Sequence, residues 1–459
     1  MTGINDTIAA ISTPIGESGI GIVRLSGKRA LSVADGIFVP KDGKKPSVFK
    51  SHTVHYGWIT GSSGNIIDEV ILTVMRAPKT YTKEDIVEIN CHGGIIALRA
   101  VLDLVLAQGV RLAEPGEFTR RAFLNGRIDL AQAEAVLDII KAKTDSSLKI
   151  SIGQLKGTLS DQINRIRKNL LDMLSLFEAG IDFPDEEIDA SGLARSRMRL
   201  ENINQELKRS INASSYGRTL REGVSVVICG RANVGKSSLL NAILRQERAI
   251  VTPVAGTTRD TIEEVINVKG IPVKIADTAG IIEPRGLVER KAVQRAKDYI
   301  DSADAIILVF DGSKRLGPED RLFIKKMSRK PVIAVINKSD LKQKFEKQKI
   351  SKSFTDIISV SAKKNKNIDL IEDALVNLIF KGKVVSPEPE LVSNLRHINK
   401  LKNAQKSVAR SINSLDNKLS SEFVSQDVKD ALAYLDEILG TRFSEDLLDK
   451  IFSEFCVGK

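Results

Sequence analysis

The octapeptide Gly230-Arg231-Ala232-Asn233-Val234-Gly235-Lys236-Ser237 constrains the fold more than any other stretch. It follows the apolar run Val224 to Cys229 and opens the helical pattern Ser238 to Leu244. A strand, a glycine loop and a helix in that order aim main-chain N–H groups and a helix N-terminus at a phosphate. In this reading Lys236 neutralises the terminal phosphates and the Ser237 hydroxyl ligates Mg²⁺, with Ser238 at the start of the helix beside them. Strands alternating with helices from Val224 to about Phe380 predict a doubly wound parallel sheet.

Three more apolar runs end in polar signatures, where ligand sites of open α/β sheets lie. Val273 to Ala276 delivers Asp277-Thr278-Ala279-Gly280, Val332 to Ile336 delivers Asn337-Lys338-Ser339-Asp340, and Ile357 to Val360 delivers Ser361-Ala362-Lys363. Asp277 suits Mg²⁺ held through water, and the Gly280 amide suits a γ-phosphate. Asp340 offers a carboxylate to the two donors on the Watson–Crick edge of guanine, which adenine lacks, so the expected nucleotide is GTP. Between the motifs, Thr252 and Pro253 lead into Val254-Ala255-Gly256-Thr257-Thr258-Arg259-Asp260, a small-residue loop suited to covering phosphates, with Thr258 as a second Mg²⁺ ligand. Ile281 stands where Ras-type enzymes place a water-orienting Gln, which leaves Glu289 as the best carboxylate available for that task.

At 459 residues the chain needs more than one core. The expected organisation is an α+β domain over 1–116, a first helical half over 117–218, an inserted α/β domain over 219–382 and a second helical half over 383–459. Within these, Glu117 to Leu176 reads as long helices, and a further helical stretch runs to about Ile211. Cys91, Cys229 and Cys456 show no paired spacing and His52, His55, His92 and His397 no cluster, so neither disulfides nor zinc are expected. The N-terminus carries no signal-like or transit pattern and no run reaches membrane-spanning length, so the expectation is a cytoplasmic protein without a membrane. A net charge of +11 favours a polyanionic partner. The basic stretches Lys141 to Lys168 and Arg396 to Arg410 read as solvated helix faces that also offer phosphate contacts, and the acidic run Asp182 to Asp189 as solvated.

Outside the nucleotide motifs, six segments carry a resemblance over the whole length: Gly21 to Gly27 with Arg24, Tyr81 to Glu88, Pro115 to Asn125, Leu130 to Glu134, Asp182 to Ile188, and Phe455-Cys456-Val457-Gly458-Lys459. The chain resembles the MnmE (TrmE) family of tRNA-modification GTPases. The resemblance implies a multidomain α/β fold: an N-terminal α+β folate-binding-like domain, a helical domain and an inserted Ras-like P-loop G domain. It implies a homodimer whose G domains meet across GTP, with K⁺ held by Asn233, Thr252, Val254 and Thr257, Glu289 as catalytic glutamate, and Arg259 and Asp260 supporting the closed state. A 5-formyl- or 5,10-methylene-tetrahydrofolate site maps onto Arg24, Glu88, Arg127 and Lys459, although Arg127 stands where the family often has Lys. Cys456 is a candidate nucleophile toward C6 of uracil, against the plainer reading of a buried thiol beside Phe455. The implied partners are tRNA and an MnmG-type FAD protein forming a heterotetramer, and the implied product is a C5-modified wobble uridine. The competing reading is an Era-like ribosome-assembly GTPase, which calls for an RNA-binding module beside the G domain.

Overall fold

The computed structural model describes residues 6–41, 43–182, 190–246, 263–277, 298–327, 330–380 and 392–459. Two compact units divide it: Met1–Leu137 with Ala433–Lys459, and Asp138–Leu432.

The first unit is built on a seven-stranded sheet in the order β3-β4-β5-β6-β2-β1-β7. Its strands are β1 (Ile8–Ile11), β2 (Gly21–Ser26), β3 (Phe38–Pro40), β4 (Thr53–Thr60), β5 (Ile66–Met75), β6 (Ile86–Cys91) and β7 (Arg111–Leu112). Every neighbouring pair is antiparallel except β1 and β7. The period-two alternation of strands sorts the side chains. Ala9, Val23 and Leu25 join the core beneath the helices Ala30–Ile37 and Ile95–Ala107, while Ile8 and Ala10 turn to Phe118 on the helix Glu117–Leu124. Arg24, register partner of both Ala10 and Glu88, therefore falls on the Phe118 face. A third cluster joins Phe123, Ile128 and Leu130 to Phe452 and Phe455 of the C-terminal segment.

Buried charge stiffens that face. Arg121, 4% exposed, reaches Asp6, Glu84 and Glu117, and Arg111 closes the network onto Asp6 at 2.7 Å. Burial pushes the Glu117 carboxyl up, but hydrogen bonds from Arg111, the Glu114 amide and Arg121 outweigh it and hold it below the ordinary value. The tract Pro115 to Asn125 thus supplies Glu117 and Arg121, on one helix, to an ion network completed by Asp6, Glu84 and Arg111.

In the second unit the helices Ala190–Glu222 and Leu395–Asp416 pack side by side, joined by Arg197 to Asp416 at 2.6 Å and Gln405 to Asn204 at 2.8 Å. Only Gly223 separates Glu222 from β8 (Val224–Cys229). Gly223 has φ +78°, and a Cβ there would lie 2.4 Å from the Pro272 carbonyl oxygen, so both backbone and space require glycine. The six-stranded sheet runs β13-β12-β11-β8-β10-β9, with β9 (Glu263–Val268), β10 (Ile271–Asp277), β11 (Ala305–Asp311), β12 (Val332–Asn337) and β13 (Asp356–Ser359). All pairings are parallel except β9 with β10. That is the doubly wound sheet expected: Val226 and Ile228 face one core, Val227 and Cys229 the other. The first of these cores also takes in Ile150 from the helix Asp145–Leu155 and Leu220 from the helix before Gly223.

Some expectations fail locally. Glu117 to Leu176 is helical as expected but broken into four elements, the short Glu117–Leu124, Leu130–Lys141 and Asp145–Leu155 and one long helix, Thr158–Asp182. The breaks have causes: Gly126 adopts φ +67°, Thr144 caps the next helix through a capping box with Ser147, and Gly157 adopts φ +94°. The helix beginning at Ala190 runs past Ile211 to Glu222. The strand β4 and the helix Ala30–Ile37 lie in sequence that gave no clear period. Among the described residues no helix is long and apolar enough to cross a membrane.

Candidate functional site

The P-loop starts where β8 ends, and its glycines are required by their neighbours. A Cβ on Gly230, at φ +148°, would sit 2.4 Å from the Val309 carbonyl oxygen, and one on Gly235, at φ +95°, 2.4 Å from Asn337 Nδ2. Asn233 takes φ +63°, a left-handed backbone that asparagine tolerates better than most residues. Lys236 is buried and its Nζ donates to the carbonyl oxygens of Gly230 and Arg231, both at 3.0 Å, so the ammonium lies in the hollow of the loop. Ser237 and Ser238 follow at the helix start, both exposed. This cradle of left-handed backbone, buried cation and helix N-terminus fits a nucleotide polyphosphate.

The segment Asn337 to Asp340 is tied to that loop. Asn337, 2% exposed, donates from Nδ2 to the Val234 carbonyl oxygen at 3.0 Å, and its Oδ1 accepts from the amides of Lys338 and Ala362 at 2.8 and 3.1 Å. Lys338, at φ +64°, spans to the Asn233 carbonyl oxygen and to Asp311, each at 2.8 Å. Ser361 donates to Asp340 Oδ1 at 2.6 Å. That bond, with the Asp340 amide and the nearby charges of Lys364 and Lys363, holds the Asp340 carboxyl below its ordinary value, so it is an acceptor at neutral pH. The structure therefore brings Asn233, Val234, Gly235 and Lys236 together with Asn337, Lys338, Asp340, Ser361 and Ala362. Lys363 is exposed on the same loop.

Asp311 escaped the sequence reading. It ends β11, is 2% exposed, and accepts from Lys338 and from both the amide and hydroxyl of Ser313. Burial raises its carboxyl, yet these donors outweigh burial and bring it below the ordinary carboxylate value. The signal was available: Asp311-Gly312 closes an apolar run just as Asp277 closes another. The Asp277 backbone ends β10. Thr252, Pro253, Val254, Ala255, Gly256, Thr257, Thr258, Arg259, Asp260, Thr278, Ala279, Gly280 and Glu289 lie outside the described residues, as does most of the acidic run Asp182 to Asp189.

In the first unit, Arg24 and Glu88 face each other across β2 and β6 at 2.7 Å, each side chain 19% exposed. Arg24 also donates to the Gly458 carbonyl oxygen at 3.3 Å and lies 5.7 Å from the Phe118 ring centroid. The C-terminal tail is held by close approach: a Cβ on Gly458, at φ +92°, would meet the Ile11 carbonyl oxygen at 2.4 Å. Arg127 stacks over Tyr81 at 4.6 Å, and Tyr81 donates to or accepts from Thr119 at 2.9 Å while packing beside Phe118. A cation, a carboxylate, two aromatic faces and the tail thus share one side of the sheet. Phe118 and Tyr81 were missed as members because an aromatic in a helix or turn reads as core, and Gly458 because it joins through its backbone carbonyl. Lys459 is half-buried at the end of this tail.

Cys456 corrects an expectation. Phe455 is buried but Cys456 is exposed, because the chain turns after the helix Glu445–Ser453 and points the aromatic ring inward. The buried-thiol reading fails on this geometry.

Comparison with known proteins gives the lineage. The family described as "GTP-binding protein TrmE N-terminus" matches residues 7–127, and "MnmE helical domain" matches residues 130–456. The tRNA modification GTPase MnmE of Alkaliphilus oremlandii is 45% identical over 459 residues, covering 99% of this chain and 100% of its own. The proteins of the same name from Carboxydothermus hydrogenoformans and Clostridioides difficile are each 45% identical with the same coverage. With these matches running from β1 to the C-terminal tail, the chain belongs to the MnmE family of tRNA modification GTPases.

Proposed function

We propose that this chain binds GTP with Mg²⁺, hydrolyses it in a K⁺-dependent homodimer, and uses the cycle to help modify C5 of wobble uridine in certain tRNAs. The observation that carries the nucleotide part is the set of bonds from Asn337 and Lys338 to the P-loop backbone. They fix the base acceptor Asp340 relative to the phosphate cradle before any ligand arrives, which lowers the ordering cost of binding. Mg²⁺ neutralises phosphate charge and is assigned to Ser237 and Thr258. K⁺ is assigned to Asn233, Thr252, Val254 and Thr257, and adds positive charge where other GTPases use an arginine finger. Glu289 orients the attacking water, with Arg259 and Asp260 supporting the closed loop.

The folate reading rests on Arg24, Glu88, Arg127 and Lys459. A carboxylate suits the donors of a pterin ring, aromatic faces suit its plane, and cations suit its glutamate tail. A tetrahydrofolate derivative bound there supplies the one-carbon unit, and the redox step belongs to an MnmG-type flavoprotein. The exposure of Cys456 keeps it available as a nucleophile. The division into 1–116, 117–218, 219–382 and 383–459 and the cytoplasmic address belong to the same proposal.

The test is mass spectrometry of nucleosides from tRNA of cells lacking the gene, complemented with the wild type or with Glu289→Ala. C5-modified wobble uridines should vanish, return with the wild type and stay absent with the variant. Purified Glu289→Ala should bind GTP normally and turn it over orders of magnitude more slowly. Wild-type hydrolysis should be faster in potassium than in sodium. Modifications that persist without the gene would remove the tRNA assignment, and equal rates in the two salts the cation assignment.

A further inference from the structure

Between β12 and β13 the chain reads Leu341-Lys-Gln-Lys-Phe-Glu-Lys-Gln-Lys-Ile-Ser-Lys352, five lysines against one glutamate. Its apolar residues are anchored: Ile350 is fully buried, Phe354 nearly so, and the Phe345 ring lies 5.2 Å from Phe310. Fixed by these anchors, the chain turns Lys342, Lys344, Lys347, Lys349 and Lys352 to solvent, all exposed. The single acid is neutralised in place. Glu346 pairs with Lys349, whose hydrogen bond is the main cause that holds its carboxyl below the ordinary value, and the charges of Arg315 and Arg321 act on it in the same direction. Those two arginines bring further positive charge to the segment from the loop before the helix Pro318–Met327 and from the helix itself. The same segment lines a concavity of about 490 Å³ with Lys347, Lys352, Ser351, Ser353, Thr355 and Phe354.

Lysines are point charges without a planar fork, so this chemistry suits a phosphate backbone and carries no base readout. We propose that the face formed by Lys347, Lys349, Lys352, Arg315 and Arg321 docks the sugar–phosphate backbone of an RNA, at a place separate from the nucleotide motifs. The inference rests on the tRNA reading for the identity of the RNA, and on charge complementarity for the surface. Its contribution is to affinity and to salt dependence rather than to which tRNA is chosen.

The experiment is fluorescence anisotropy of an unmodified tRNA transcript with the full-length chain, from 50 to 200 mM KCl, comparing wild type with the K347E/K349E/K352E variant. Removing about three phosphate contacts should weaken binding at least ~10-fold at the low-salt end and make the log–log salt slope shallower by about 2. A hairpin RNA of unrelated sequence should lose affinity in parallel. Thermal melting and basal GTP hydrolysis should match the wild type, because none of the three lysines belongs to the nucleotide site. An unchanged affinity and slope would overturn the proposal. So would preferential loss of binding to vesicles of anionic phospholipid with RNA binding intact. If cells without the gene keep their wobble modifications while the purified chain still binds RNA through these lysines, the tRNA reading fails and the surface stands. The opposite pair of results leaves that reading intact and removes the surface.

Discussion

The nucleotide cradle and the Arg24–Glu88 site differ in how far along the chain their parts are recruited. Gly230 to Ser237 is one uninterrupted octapeptide, and the motifs knitted to it each occupy a few consecutive residues at a strand end. The other site joins Arg24 to Glu88, sixty-four residues on, and to the Gly458 carbonyl oxygen at the far end of the sequence. The first site announces itself because its backbone geometry is local: a glycine loop between strand and helix can do little else. The second is made of ordinary residue types whose meaning arises only when β2 and β6 pair and the tail docks beside them.

The contrast can be strained by substitution, beginning with the largest effect. Asp340→Asn replaces an acceptor by a donor opposite guanine, so GTP affinity should fall ~100-fold while affinity for xanthosine triphosphate rises, by titration of fluorescent nucleotides. An unchanged GTP affinity would separate Asp340 from the base. Arg24→Ala leaves a partly buried Glu88 without its partner and frees the tail. Binding of a reduced folate should weaken about tenfold by calorimetry, with nucleotide binding in the other unit unaltered. If folate binding survives and nucleotide binding suffers, the two sites are not the separate devices described here.

Gly223→Ala should destabilise the unit Asp138–Leu432 by about 1–3 kcal/mol, since it adds backbone strain and a clash with Pro272. Differential scanning calorimetry should show one transition lowered and the other unmoved. The smallest expected effect concerns pH. Asp311 titrates lower in the folded chain than in the unfolded one, so its stabilisation is present above the ordinary carboxylate pKa and is lost as pH falls through the depressed folded value. Melting temperature should therefore drop more steeply below about pH 4 in the wild type than in Asp311→Asn, and parallel acid limbs would show that the Lys338 contact contributes nothing.

Much of the scaffold was readable. The limits of β6, β8 and the helix Ile95–Ala107 coincide with their apolar runs, because β6 and the helix each bury a regular face in one core and β8 is buried on both faces. Misreadings cluster where a turn chemistry interrupts a helical period, as at Gly126 and Thr144, or where a strand carries His55, Tyr56 and Gly57 in place of a clean alternation. At the sites, the motif residues were legible and their cross-links were not. That Lys338 lies on both Asn233 and Asp311, or that Phe118 underlies Arg24, depends on strand order, which spacing along the chain does not encode.

The burial of Ile150 and Leu220 in the core of the six-stranded sheet has a consequence for how that unit breathes. Amides in β8 and in the helix Asp145–Leu155 share one apolar cluster, so they should exchange with deuterium in one cooperative opening rather than as a sheet and a helix separately.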